Sequence, residues 1–112
     1  MTLFGIKSCD TCRKARKWLD GQGISHEWRD LREDGVDRAR LERWIASLGP
    51  DQLVNRRSTT WRGLDEGTRK QAMGAESCVD VLAEHPTLIK RPVFELEDRI
   101  LVGFNDAFRE AL

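Results

Sequence analysis

The sequence of 112 residues has few of the features that would mark a secreted or a membrane protein. Its three cysteines are an odd number and too few for the disulfide framework of a small secreted domain. No apolar run approaches the roughly 20 residues that a membrane-spanning helix needs. The segment from Met1 to Ile6 is followed at once by charge at Lys7, which is not a signal-peptide pattern. We therefore expect a cytoplasmic protein with no membrane partner.

The chain also lacks net charge, because 19 basic residues balance 19 acidic ones. A protein without a net positive field has little general attraction for phosphates, which argues against a nucleic-acid or membrane-surface binder. Charged residues make up 34% and hydrophobic residues 39% of the chain, which is an ordinary globular balance. The length is enough for one domain with a real core, so we expect a single domain over residues 1–112.

The segment Cys9–Cys12 has the pattern Cys-x-x-Cys and joins a short apolar stretch to one with helical spacing. This order places Cys9 in a turn before a helix N-terminus, where unpaired backbone N–H groups and the helix dipole favour a thiolate. The neighbouring cations of Lys7 and Arg13 act in the same direction. Cys9 is therefore the candidate nucleophile, and Cys12, one helical turn later, could form a disulfide with it.

A Cys-x-x-Cys pair that follows a strand is typical of a thioredoxin-like redox site. Two other interpretations stay open: half of a zinc site, or two thiols without a role. Zinc would need two more ligands, and the remaining candidates, Cys78, His26 and His85, have no second paired spacing. Redox chemistry is the first interpretation, and no metal is expected. Cys78 is expected to be a buried thiol in a helix.

Apolar periodicity and turn residues predict the order of the elements. In chain order they are a strand over 1–6, a helix over 11–20, a strand over 24–29, a helix capped by Asp37 and ending at Leu48, an irregular segment over 51–64, helices over 68–73 and 76–84, strand residues over 88–94, an edge strand over 99–102, and a helix to Leu112. This order is a thioredoxin arrangement: an α/β fold in which helices flank a small mixed β-sheet. A helical insertion separates the β-α-β unit from the C-terminal β-hairpin.

Two further features are candidates for a binding site. Arg56 and Arg57 lie beside three hydroxyl residues, and paired planar guanidinium donors suit an oxyanion or a carboxylate. A solvated loop is the alternative interpretation of that segment. Pro92 interrupts strand residues and cannot donate to a sheet ladder, so we expect a tight connection there, with a cis peptide as one form.

Four segments, taken in order, resemble the ArsC/Spx family, the arsenate reductase-like branch of the thioredoxin superfamily. They are Gly5–Arg16, Asn55–Trp61, Glu84–Pro92 and Val102–Asp106. The resemblance covers nearly the entire chain and is greatest to the short members described as arsenate reductase-like or glutathione-dependent thiol reductases. It implies a thioredoxin-like fold and a thiol-disulfide oxidoreductase.

The resemblance also implies roles for individual residues. Cys9 matches the family's nucleophile, which attacks a disulfide or an oxyanion. Arg91 matches the oxyanion-binding arginine that precedes a cis-proline, here Pro92. Arg57 matches a second binding arginine, although Arg56 beside it leaves the register open by one residue. Glutathione is implied as a co-substrate, with no bound cofactor, and glutaredoxin is implied as one protein partner.

Two departures from the glutaredoxin-coupled arsenate reductases matter. Their third arginine, after the hairpin, is absent from residues 102–105, which disfavours arsenate as the physiological substrate. Cys12 adds a second thiol, as in the Spx regulators, whose disulfide is a redox switch on a protein that binds RNA polymerase. Two hypotheses follow. In one, Cys9 attacks the substrate and Cys12 or glutathione resolves the intermediate. In the other, an Spx-like protein binds the polymerase α-subunit without turnover.

Overall fold

The computed structural model describes all 112 residues. The elements are, in chain order, β1 (Thr2–Gly5), α1 (Asp10–Gly21), β2 (Glu27–Asp30), α2 (Arg38–Leu48), α3 (Pro50–Leu53), α4 (Thr59–Arg62), α5 (Glu66–Ala72), α6 (Cys78–Glu84), a 3₁₀ turn (Pro86–Leu88), β3 (Val93–Glu95), β4 (Ile100–Val102) and α7 (Asp106–Ala111). They fall into two compact units, the first made of Met1–Asp34 and Arg91–Leu112 and the second of Gly35–Lys90. None of the helices combines the length and the apolar character that crossing a bilayer requires.

The first unit is built on a four-stranded sheet with the order β2-β1-β3-β4. β1 and β2 are parallel, with Gly5 opposite Asp30, whereas β3 pairs antiparallel with both β1 and β4. A parallel pair needs a long connection, and α1 provides it. The mixed sheet, the β-α-β unit and the helices inserted before the C-terminal hairpin confirm the predicted fold class.

The core of the first unit joins this sheet to α1 and α7. Its buried members are Leu3, Ala15, Leu19, Phe94 and Phe108. Leu3 and Phe94 are cross-strand neighbours on β1 and β3, and the Phe94 ring stacks on Phe108 of α7 with centroids 3.9 Å apart. Packing of α1 on this core fixes where its N-terminus lies relative to the end of β1.

The second unit contains α2 to α6. The Asp37 side chain caps α2, as predicted, by accepting the Arg40 N–H at 2.7 Å. The helix stops at Gly49, whose φ of 76° is a backbone conformation that favours glycine. The buried Trp44 of α2 and Leu82 of α6 are among the largest fully buried side chains, and α6 contacts both α2 and α5.

Some element bounds differ from the sequence prediction. The segment expected to be irregular contains α3 and α4, each only four residues long, which is too short to show a helical period. Val93 and Phe94 form a strand as predicted, but Leu88 and Ile89 before the proline do not, because Leu88 ends a 3₁₀ turn and Ile89 forms only an isolated bridge with Val54. The strand predicted over 24–29 starts at Glu27.

Candidate active site

Cys9 is the N-cap residue of α1, with extended backbone angles of φ −80° and ψ 119°. Its N–H donates to the Ile6 carbonyl at 3.0 Å and closes the turn that follows β1. Its own carbonyl accepts the Arg13 N–H at 3.0 Å, which is the first hydrogen bond of the helix. The strand-to-helix position predicted for Cys9 is confirmed, and the thiol is only partly buried.

The pKa of Cys9 lies below the ordinary value of a thiol. Burial of the sulfur raises this pKa, whereas hydrogen bonds from the backbone N–H and the side chain of Cys12 lower it. The guanidinium of Arg91 lowers the pKa further, through a hydrogen bond to the sulfur and through its charge. The thiolate is thus the favoured form of a group that stays partly accessible.

Cys12 has the opposite character, because none of its surface is exposed. Burial raises the pKa of Cys12 to about 12, and the adjacent Cys9 acts in the same direction, while the Ile6 backbone opposes it. Cys12 therefore stays protonated, which suits an S–H donor to Cys9. All three cysteines are free thiols in the structure.

Gly5, the last residue of β1, leaves room for the Cys12 sulfur. A Cβ on Gly5 would lie 2.5 Å from Cys12 Sγ and 3.0 Å from the Trp28 ring. Side-chain carbons do not approach sulfur that closely, so position 5 accepts only glycine without a shift of its neighbours. We did not predict this role from the sequence, although a glycine at the end of a strand can indicate a close approach.

Arg91 and Pro92 lie in the same unit as the two cysteines. The peptide between them is cis, and β3 begins at the next residue. Pro92 is buried, and its carbonyl accepts the Gly103 N–H at 2.8 Å. The structure therefore brings Arg91 to the Cys9–Cys12 pair, although the sequence places Arg91 far from both cysteines.

Arg57 lies in the second unit, in the turn before α4. Asn55 shapes this turn, because its side-chain oxygen accepts the Arg57 N–H at 3.1 Å and its carbonyl accepts the Ser58 hydroxyl at 2.7 Å. A recess of about 390 Å³ is lined by Val54, Asn55, Arg56, Arg57 and Lys90. Three cations and no acid line it, so its field favours an anionic group.

The sequence profile of the ArsC family matches residues 4–111. The chain belongs to the ArsC family. This confirms the resemblance to the ArsC/Spx family and the thioredoxin-like fold.

Relatives of this ArsC-family chain include reductase-related proteins and a regulator. The solved structure of the YFFB protein is 43% identical, with a TM-score of 0.90 over 99% of this chain and 97% of that one. An arsenate reductase (ArsC) related protein from Brucella melitensis is 38% identical, with a TM-score of 0.77 over 98% of this chain and 91% of that one. The global transcriptional regulator Spx of Bacillus subtilis is 29% identical over 108 residues, covering 95% of this chain and 81% of the regulator.

One buried charge of the ArsC-family chain was not predicted as part of the site. Asp30, at the end of β2, is only 3% exposed. Burial raises the pKa of its carboxyl, but hydrogen bonds from the backbone N–H groups of Glu33, Arg32 and Lys7 outweigh burial and hold the pKa below its usual value. An acid at the carboxyl end of a strand beside β1 is the sequence signal that could have indicated it.

The other candidate residues lie apart from this chemistry. Cys78 is buried in α6 of the second unit, and burial raises its pKa to about 11. The His26 ring nitrogen Nδ1 lies 3.0 Å from the Ile24 carbonyl. No three His, Cys, Asp or Glu side chains are grouped so as to hold a metal ion.

Proposed function

We propose that this protein is a thiol-dependent reductase in which the Cys9 thiolate attacks a disulfide or a glutathionylated thiol, with glutathione as the co-substrate. The observation that carries the proposal is the environment of the Cys9 sulfur. A helix N-cap, the Cys12 N–H and the Arg91 guanidinium all favour the thiolate, while the sulfur stays partly accessible. Such an environment is typical of reactive rather than structural cysteines.

The reaction runs in two thiol-disulfide exchanges. The Cys9 thiolate attacks the glutathione sulfur of a glutathionylated thiol, a Cys9–glutathione disulfide forms, and the substrate leaves as a thiolate that takes a proton from water. A second glutathione, as its thiolate, attacks the glutathione sulfur bound to Cys9. Oxidised glutathione leaves and the Cys9 thiolate is restored. The net reaction consumes one free glutathione: the substrate is released as a thiol, and its glutathionyl group leaves joined to that glutathione as oxidised glutathione.

The resolving step favours glutathione over Cys12. Cys12 is fully buried, and its pKa of about 12 keeps it protonated at neutral pH. Attack on a mixed disulfide needs a thiolate, and Cys12, although it contacts the Cys9 sulfur, is held in its thiol form. Its hydrogen bond to Cys9 instead stabilises the Cys9 thiolate, both when that thiolate attacks the substrate and when it leaves in the second exchange.

Charge supports a substrate that carries carboxylates. Glutathione has two carboxylates, and guanidinium groups bind carboxylates through paired hydrogen bonds. Arg91 presents a cation at Cys9 and is proposed to hold an anionic group of the substrate. Within the second unit, the recess with Arg56, Arg57 and Lys90 presents three more cations, and Arg57 is proposed, from the family resemblance, to bind an anionic group as well. Arsenate is disfavoured, because the arginine expected after the hairpin is absent.

A second candidate is an Spx-like regulator that binds the RNA polymerase α-subunit and switches through a Cys9–Cys12 disulfide. The observation that favours it is the 29% identity to the transcriptional regulator Spx over 108 residues. The Cys-x-x-Cys pair supports it as well, since the two cysteines lie within hydrogen-bonding contact.

The first experiment is the intact mass of the protein after exposure to oxidised glutathione. Cys9→Ser, Cys12→Ser and the control Cys78→Ser are treated beside the wild type. We expect one glutathione adduct that needs Cys9 and survives Cys12→Ser and Cys78→Ser. Loss of two hydrogens that either Cys9→Ser or Cys12→Ser abolishes would contradict glutathione resolution and favour the switch. A protein left unchanged would contradict both functions.

The second experiment measures turnover and binding together. Wild type and Cys9→Ser are assayed with a glutathionylated peptide and excess glutathione. The same proteins are tested for binding to the purified C-terminal domain of the RNA polymerase α-subunit. Turnover that needs Cys9, without binding, supports the reductase. Binding without turnover supports the regulator.

A further inference from the structure

The turn that carries Cys9 does not itself satisfy the backbone N–H of Lys7. Lys7 and Ser8 are the central residues of this turn, which the hydrogen bond from Cys9 N–H to the Ile6 carbonyl closes. In a β-turn the N–H of the second residue takes no part in the closing bond and needs another partner. Here the partner is Asp30 Oδ2, 3.1 Å from the Lys7 nitrogen.

The other carboxylate oxygen of Asp30 is held by its own strand end. Asp30 Oδ1 accepts the N–H groups of Arg32 and Glu33 at 2.8 and 2.9 Å. Asp34 supports the same bend from outside, because its Oδ2 accepts the Asp30 N–H at 2.8 Å. One buried carboxylate therefore connects the bend after β2 to the turn after β1.

The ion pair that also joins these two loops is weaker than this hydrogen bond. The Lys7 ammonium pairs with Glu33 at 2.9 Å, but both side chains are more than half exposed, at 64% and 59%. Exposed ion pairs contribute little to stability. The Asp30 carboxylate accepts the Lys7 N–H in a part-buried, charge-assisted hydrogen bond, and such a bond is roughly twice as strong as a neutral one.

We propose that Asp30 is a positioning residue for the Cys9 nucleophile: its carboxylate ties the turn from Ile6 to Cys9 to the end of β2. The proposal takes Cys9 as the nucleophile and so rests on the proposed function. The tie fixes the turn at its second residue, two residues before Cys9. It thereby holds the Cys9 sulfur against the Cys12 N–H and the Arg91 guanidinium, the groups that stabilise its thiolate.

Loss of the Asp30 charge should change the Cys9 pKa in opposite directions, depending on whether Asp30 positions Cys9 or acts on it only through its charge. The negative charge of Asp30 would, by itself, disfavour a nearby thiolate, so removing that charge would lower the Cys9 pKa. Removing the tie would instead loosen the turn, weaken the Cys12 and Arg91 contacts and raise the Cys9 pKa. The charged side chains around Asp30 are Lys7, Arg32, Glu33 and Asp34, and all four are unchanged in the variant Asp30→Asn.

The test is the pH profile of Cys9 alkylation by iodoacetamide in a Cys78→Ser background, comparing Asp30 with Asp30→Asn. The amide keeps the shape of the carboxylate but has only one acceptor oxygen. We expect a higher pH midpoint and roughly three- to tenfold slower alkylation at a pH below it, which is the size of effect of one ordinary hydrogen bond. A lower or unchanged midpoint would overturn the proposal.

Asp34→Asn is the matched control, because it alters the same bend without touching the Lys7 N–H. We expect its midpoint to equal that of the background. An equal rise in both variants would make the effect a general loosening of the bend and would overturn the role of Asp30. The alkylation measurement needs no substrate. If the reductase assay fails but the midpoint of Asp30→Asn is raised, the proposed function is contradicted and the positioning role of Asp30 is not.

Two variants of Lys7 test the same hydrogen bond in case Asp30→Asn does not fold. Lys7→Ala and Lys7→Pro both remove the ammonium, but only proline removes the N–H that Asp30 accepts, and proline suits the second position of a β-turn. We expect a higher alkylation midpoint in Lys7→Pro than in Lys7→Ala. Equal midpoints would show that the hydrogen bond does not position Cys9.

Discussion

Cys12 Sγ lies where a side chain on residue 5 would begin, since a Cβ on Gly5 would lie 2.5 Å from the sulfur. The same sulfur is the neighbour that donates to Cys9. The end of β1 and the first turn of α1 are therefore packed through a thiol that also belongs to the candidate site. A substitution at Gly5 should therefore displace Cys12 and alter its hydrogen bond to Cys9.

Gly5→Ala tests this packing. The new methyl group must displace Cys12 or Trp28, and overpacking of this kind costs about 1–3 kcal/mol of unfolding free energy. Cys12→Ala in the same chain removes the sulfur and should restore part of the loss, which a denaturant double-mutant cycle measures. Gly21→Ala is the control, because no atom lies within 4 Å of its new Cβ. Strictly additive losses would show that the two residues do not share this space.

Alkylation against pH tests the state of Cys9. Because its pKa is lowered, the rate should reach its plateau at a lower pH than that of free cysteine. Arg91→Met removes a cation and a hydrogen-bond donor from the sulfur, so the midpoint should move to higher pH, whereas Arg91→Lys should keep part of the shift. Lys14→Met removes an exposed cation of α1 and should leave the profile unchanged. An unchanged profile in Arg91→Met would remove Arg91 from the site.

The two active-site thiols should differ in their effect on turnover. Cys9→Ser should abolish glutathione-dependent reduction, because it removes the nucleophile. Cys12→Ser should retain part of the activity, since its hydroxyl can still donate to Cys9, and Cys12→Ala should retain less. Steady-state rates with a glutathionylated peptide give the comparison, with Cys78→Ser as the control. Equal and complete loss in Cys9→Ser and Cys12→Ser would require an obligatory dithiol mechanism.

Phe108→Ala tests the support of the sheet by α7. The ring stacks on Phe94 at 3.9 Å and meets Trp18 edge-on at 5.9 Å, and it is 3% exposed. Its removal should lower the unfolding free energy by about 3–5 kcal/mol, measured by denaturant titration. Leu112→Ala, at an exposed position, should have little effect. A similar small loss for Phe108→Ala would show that α7 contributes little to the core.

Local chemistry explains which parts of the fold could be predicted from the sequence. Asp37 before an apolar period marks the start of α2, and the period ends at Leu48, so both ends of this helix were identified. Cys9 could be placed at a helix start because a β-prone segment and a helical period meet there. The four-residue helices α3 and α4 could not be found, since their formation depends on caps such as the Ser58 side chain rather than on a period.

The site was only partly predictable for a different reason. Cys9 and Cys12 are linked by spacing, and Arg91 and Pro92 followed from the family resemblance. The roles of Gly5 and Asp30 depend on register, because the parallel pairing of β1 with β2 places these two residues opposite each other. A single sequence does not state which residues of two strands are paired, so neither role could be assigned beforehand.

The two edge strands of the sheet, β2 and β4, are short, and this affects how readily the sheet can pair with a second molecule. β2 is four residues long and β4 is three, so each edge offers only a short row of backbone groups to another chain. On β2 the exposed Glu27 and Arg29 alternate along the edge and pair with each other at 3.4 Å. A second molecule that paired one of its strands with this edge would have to dehydrate both charges. Short edges with charged side chains of this kind disfavour strand-to-strand aggregation at high protein concentration.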